Sequence, residues 1–270
     1  MNGLRAFFVA VWPAIGSAAA ADDVADAVEM AREAEIVIIG EYHDNPEHHR
    51  IQAEIVAALQ PTAVIFEMLS DDQAARIEPD TVREADVLGP LLDWERSGWP
   101  DIAYYAPIMA AAPEARIVGT GPHGLNRDVD PPQMAGVPED AARFGWPGPL
   151  PEEQQAAREA LQAEAHCGVM PEARLPLMVD LQRQRDVIFA ARTLEALEAF
   201  GAPVVLITGN GHARNDWGVP FALAQAADAR VVAIGQGEGG EAPLGPFNIV
   251  LDADAPERSD PCAALLEQAG

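Results

Sequence analysis

Six short runs rich in β-branched residues, at 35–40, 63–67, 116–119, 204–209, 230–234 and 247–251, alternate with stretches of helical periodicity at 46–59, 71–76, 102–112, 151–165, 174–200 and 217–227. Strand runs that are apolar at consecutive positions suit a sheet covered on both faces, and their alternation with helices predicts an α/β fold: a largely parallel sheet flanked by helices. The chain has 270 residues, 49% of them hydrophobic, enough to bury a substantial core in one domain. In such sheets ligands bind in the crevice beyond the carboxyl ends of the strands, so the residues just past each run carry the functional information.

Two of those ends are alike. The run ending at Gly40 leads into Glu41, Tyr42 and His43, and the run ending at Gly209 leads into Asn210, Gly211 and His212. Each gives a Gly, two residues, then a His. A third run ends in Glu67, a charge that packing alone would not place there. If these strands are neighbours, Glu41, His43, Glu67 and His212 share one rim. Imidazole and carboxylate on rigid supports are the ligand set of a divalent transition metal, either zinc in a hydrolytic site or iron or manganese with open positions.

Helical spacing adds supporting residues. His49 and Gln52 share one face of the helix after His43, whereas His48 is expected in solvent. On the long helix, Leu181, Arg185 and Ile188 fall at i, i+4 and i+7, which predicts Arg185 on a buried stripe, paired with Asp186, Gln182 or a site carboxylate, or holding an anion. Residues 119–151 are rich in Gly and Pro and lack either periodicity, which predicts a long insertion acting as a lid or mobile segment.

Charge and leader narrow the setting. Acidic residues outnumber basic ones 43 to 17, a net charge of -26, and every basic residue is Arg. So acidic a surface repels phosphate backbones and anionic lipid, which argues against nucleic-acid and membrane-surface partners. Arg5, the apolar run 6–15 and the small residues 16–21 have the order of a secretory signal peptide over residues 1–20, leaving 21–270 as the mature domain in the periplasm. No Cys stands at the expected cleavage site, so a lipid anchor there is not expected. Cys167 and Cys262 fit either a disulfide or two buried thiols.

Taken together, G40-E-Y-H-D-N-P-E-H-H49 with Gln52, F66-E67, Trp99, Y105-A-P-I108, H166-C-G168, Q182-x-x-R185-D186 and G209-N-G-H212 resemble the ChaN-type family of haem-binding uptake proteins, within the Tiki, TraB and erythromycin-esterase superfamily. The resemblance spans nearly all of residues 21–270. It implies an α/β sheet with both Gly-x-x-His motifs lining one cleft, haem as ligand, a role in iron acquisition, and dimerisation around haem. It also favours pairing of Cys167 with Cys262. Superfamily members that are metal-dependent hydrolases imply Glu41, Glu67 and Arg185 as catalytic residues, His43, His212, Glu41 and Glu67 as metal ligands, and His49, Gln52, Gln182, Asp186 and Asn210 in support.

Two functions follow as expectations. The first is an exported haem-binding protein with Tyr105 holding the iron and residues such as Arg127 or Arg143 screening the propionates. The second is a hydrolase in which a divalent metal activates water, Glu41 or Glu67 is the base and Arg185 stabilises developing charge.

Overall fold

The elements follow one another as α1 (Gly16–Ala31), β1 (Ile36–Glu41), α2 (Pro46–Leu59), β2 (Ala63–Phe66), α3 (Asp71–Ala74), α4 (Ala85–Leu92), α5 (Ile102–Ala111), β3 (Arg116–Gly119), the short pair β4 (Leu125–Asn126) and β5 (Gln133–Met134), α6 (Glu152–Ala165), α7 (Leu175–Phe200), β6 (Val204–Gly209), α8 (Asn210–Ala213), α9 (Val219–Ala226), β7 (Val231–Glu238) and β8 (Ile249–Ala253). This is a computed structural model, and it describes residues 16–122, 124–260 and 262–263. Most of the expected signal peptide, residues 1–15, lies outside the described residues; 16–20 open α1. Among the described residues no helix is long and apolar enough to cross a membrane.

The α/β expectation is met. Six strands form one sheet in the order β3-β2-β6-β1-β7-β8, every neighbouring pair parallel. Strands β1, β2 and β6 are buried along their whole lengths. Successive side chains point to opposite faces, so Val37, Ile39, Val64, Phe66, Val205 and Ile207 join one apolar cluster with Ile51, Ile55 and Ile108 from the helices. Ile36, Ile38, Ile65, Val204 and Leu206 join a second with Ile188, Phe189 and Leu223. Each such buried aliphatic side chain contributes roughly 1.5–3 kcal/mol. These two layers fix the strand register and hence the alignment of the strand ends.

Several expectations change. The stretch 119–151 is not structureless: β4 and β5 pair antiparallel, the Met134 amide donates to Gln184 Oε1 at 2.6 Å, and Ala141 and Phe144 are buried in the second cluster. Aromatic packing and two side chains of α7, Gln184 and Arg183, the latter donating to the Gly148 carbonyl at 2.6 Å and lying over Trp146, hold it there. Helix α4 went unread because Gly89 and Pro90 within it look like breakers.

Arg185 is exposed, not buried. The apolar stripe of α7 passes from Leu181 through Gln184 to Ile188, so Gln184 takes the inward position that the i+4 spacing assigned to Arg185. Asp186, next to it, is buried.

Candidate functional site

Strand β6 lies between β2 and β1, with Glu41 opposite Gly209 and Phe66 opposite Ile207. The three ends that carry the polar residues are therefore adjacent, as the sequence reading required. Glu41, Glu67 and His212 are all buried, at 1%, 8% and 5% exposure. Buried charges at this position need partners, and each has them.

Glu41 accepts hydrogen bonds on both oxygens: from Gln52 Nε2 at 2.7 Å, Tyr105 Oη at 3.1 Å and His43 Nδ1 at 2.6 Å. His49 Nδ1 stands 3.4 Å from the same carboxylate, while His49 Nε2 donates to the His43 carbonyl at 2.9 Å. Glu67 Oε2 accepts from the Thr208 hydroxyl at 2.6 Å and the Gly209 amide at 2.8 Å. His212 Nδ1 donates to Asp186 Oδ1 at 2.6 Å, and the Gln182 amide lies 3.1 Å from His212 Nε2.

The result is two imidazole–carboxylate pairs facing one carboxylate. His43 Nε2 is 4.0 Å from Glu67 Oε2, and His212 Nε2 is 3.8 Å from Glu67 Oε1. These distances are too long for direct hydrogen bonds yet short enough for strong electrostatic coupling. Burial alone would lower the His43 pKa, but the Glu41 hydrogen bond and the Glu67 charge outweigh it and raise it to about 9. Burial would raise Glu67, but His212, His43 and the Thr208 and Gly209 donors hold it at about 2. Glu67 and Asp186 likewise overcome burial to raise His212, and burial keeps Asp186 above the usual carboxylate range despite its His212 partner.

The motif glycines are explained by each other's motif. A Cβ on Gly40 would sit 2.4 Å from Asn210 Oδ1, and one on Gly209 would sit 3.1 Å from the His43 Nε2. Asn210 is fixed there by bonding the Gln236 carbonyl and amide, and Gln236 Nε2 in turn donates to the Gly40 carbonyl at 2.7 Å. The two Gly-x-x-His segments are thus interlocked across β1 and β6.

The placement corrects several expectations. Among the described residues no group of three or more His, Cys, Asp and Glu side chains is disposed to hold a metal ion, so His43, His212, Glu41 and Glu67 do not form the expected ligand cluster. Glu41 is turned to its hydrogen-bond donors on the far side of His43. Tyr105, expected to hold haem iron, is fully buried among Trp94, His49 and Glu41, and burial and the Glu41 charge push its phenol pKa far up. It serves as a hydrogen-bond donor inside the core. His48, expected in solvent, is fully buried: its Nδ1 accepts from the Tyr42 amide and its Nε2 donates to the Gly237 carbonyl. Arg127 is exposed, and Arg143 pairs with Asp140. Arg185 makes no ion pair among the described residues and lines a depression shared with Glu67, Trp99, Thr120 and Phe189. Cys167 and Cys262 form a disulfide, tying the end of α6 to the last described residues.

Beside His212 opens a cavity of about 400 Å³ that the sequence did not disclose. Its walls include Leu161, Val179, Trp217 and Leu244, with Tyr42, Gln182, Asp186 and Asn210 on the side of the polar site and Arg158 and Arg214 against Trp217. No local pattern announces it, because its walls come from α6, α7, α8 and the segments after β1 and α8, which are distant in sequence.

A family model described as haem-binding uptake, Tiki superfamily, ChaN matches residues 27–223. Among solved structures, one described as cofacial heme binding to ChaN of Campylobacter jejuni has a TM-score of 0.61 at 20% identity, over 83% of this chain and 90% of that one. The type III effector HopBA1 gives a TM-score of 0.51 at 14% identity, over 86% of this chain and 93% of that one. At these identities both likenesses bear on the fold. No curated protein matches the sequence. The matched span begins before β1 and ends within α9, so it contains both interlocked Gly-x-x-His motifs, Glu67 and the cavity walls on α6 and α7, and the chain belongs to the haem-binding uptake family of the Tiki superfamily, ChaN.

Proposed function

We propose that the chain is a haem-binding protein of the ChaN type, exported to the periplasm, where it serves iron acquisition. The observation that carries the reading is the cavity beside His212: mostly apolar walls with a few placed polar groups, as cofactor sites have. Its residues fit haem. Tyr42 is the lining side chain of a haem-ligating kind, partly out in solvent, and Arg158 and Arg214 put cations on the same wall, Arg214 already paired with Asp216. In this reading Tyr42, rather than Tyr105, would hold the iron. Haemin titration followed by the Soret band tests it. Saturable binding that Tyr42→Phe alters in spectrum and weakens, and that Tyr105→Phe leaves in place, is expected; binding indifferent to Tyr42 overturns the ligand assignment.

A second reading rests on a separate observation, the two imidazole–carboxylate pairs that face Glu67. That arrangement suits proton transfer to and from a substrate held at Glu67, with Arg185, which makes no ion pair among the described residues, lining the same depression to receive an anionic group. Hydrolysis of activated esters that His212→Ala abolishes would favour it; no turnover above that of the His212→Ala chain would dismiss it.

A further inference from the structure

Helix α6 is polar along most of its length, yet the one side chain it buries fully is a cation, Arg158, 7% exposed. Among the described residues the guanidinium makes no hydrogen bond and no ion pair, and its Nε is buried with no partner. It lies over the Trp217 ring, 4.9 Å from the centroid, and lines the cavity beside His212. Arg214 lies over the same ring at 3.8 Å but is already held by Asp216 at 2.6 Å. The buried carboxylate of Asp186 acts on Arg158 by its charge, with no hydrogen bond or ion pair to it among the described residues, and gives its Oδ1 to His212. Glu164, also on the lining, is exposed.

An unpaired buried guanidinium is costly, and proteins keep one where a ligand completes it. Arg presents a planar fork matched to a carboxylate, and stacking on Trp217 holds that plane while leaving the edge free to donate. The same cavity has apolar walls at Leu161, Val179 and Leu244. Burial lowers the Arg158 pKa to about 10, which still leaves it charged at neutral pH.

We propose that Arg158 anchors the carboxylate of an amphipathic ligand, with the apolar body of that ligand against Leu161, Val179 and Trp217. The proposal deepens the haem reading and rests on it in naming that carboxylate a propionate; a fatty-acid carboxylate presents the same group.

The test compares binding of metal-free protoporphyrin IX, its dimethyl ester and decanoate to the full chain and to its Arg158→Met and Arg158→Lys variants. Removal of an unpaired buried cation should leave the Met variant folded, with Tm equal or higher. The free acid is expected to bind about tenfold to a hundredfold tighter than the ester. That margin should vanish in Arg158→Met and return in part in Arg158→Lys. Equal binding of acid and ester, or a margin that survives Arg158→Met, overturns the anchor while leaving the haem reading standing. Decanoate binding that depends on Arg158, with neither porphyrin bound, removes the haem reading and keeps the anchor. Failure of all three probes to bind overturns both.

Discussion

His43 and His212 present their Nε2 atoms to opposite oxygens of Glu67, at 4.0 and 3.8 Å, while their Nδ1 atoms are each held at 2.6 Å by a separate carboxylate. Neither imidazole can rotate without breaking a buried charge-assisted hydrogen bond. The pair is therefore preorganised, and its protonation is coupled through Glu67. Replacing Glu67 by Gln removes the shared charge and should lower the His43 pKa from about 9 toward the ordinary 6.5. NMR titration of the imidazole ring reads this directly; an unmoved pKa would show that Glu41 alone sets it.

The same coupling makes stability depend on pH. The folded His43 pKa lies above its unfolded value of 6.5, so its contribution is complete below pH 6.5 and is lost as pH rises through about 9. Denaturant unfolding should show a loss of roughly 1–3 kcal/mol across that window, largely absent in His43→Gln. Glu67 acts at the other end: its contribution is present above pH 4.5 and is lost as pH falls toward 2.

Interlocking of the two motifs predicts that their glycines are structural. Gly40→Ala places a Cβ 2.4 Å from Asn210 Oδ1, in a cluster fixed by Gln236, and should cost about 1–3 kcal/mol. Pairing it with Asn210→Ala, which removes the clash, should recover part of that loss in a double-mutant cycle; strict additivity would contradict the contact.

Tyr105→Phe separates a core role from a ligand role. Loss of its hydroxyl removes one donor from Glu41 and should cost about 1–2 kcal/mol of stability, with the haemin spectrum unchanged. A changed spectrum would return Tyr105 to the ligand set.

The strands were legible because a parallel sheet covered on both faces needs uninterrupted apolar runs, and β1, β2 and β6 have them. Their polar ends followed from the same reading, which is why Glu41, His43, Glu67 and His212 were found. The helices were harder. On α7 the difference between Gln184 and Arg185 is a rotation of one residue about the axis, and only packing decides which faces in. Tyr105 looked available because a motif position says nothing of depth, and α5 buries it. Arg158 gave no signal at all, since Trp217, the ring it lies against, is far along the chain.

Haem, in the reading proposed above, enters the cavity beside His212. The most direct test is the affinity for haemin of the wild-type chain against Leu161→Trp, which adds bulk to the apolar wall while leaving Tyr42, Arg158 and the Glu67 cluster unsubstituted. The account predicts at least about a tenfold weaker Kd with Tm little changed; equal affinity in the two chains would contradict it and place the haem elsewhere on the protein.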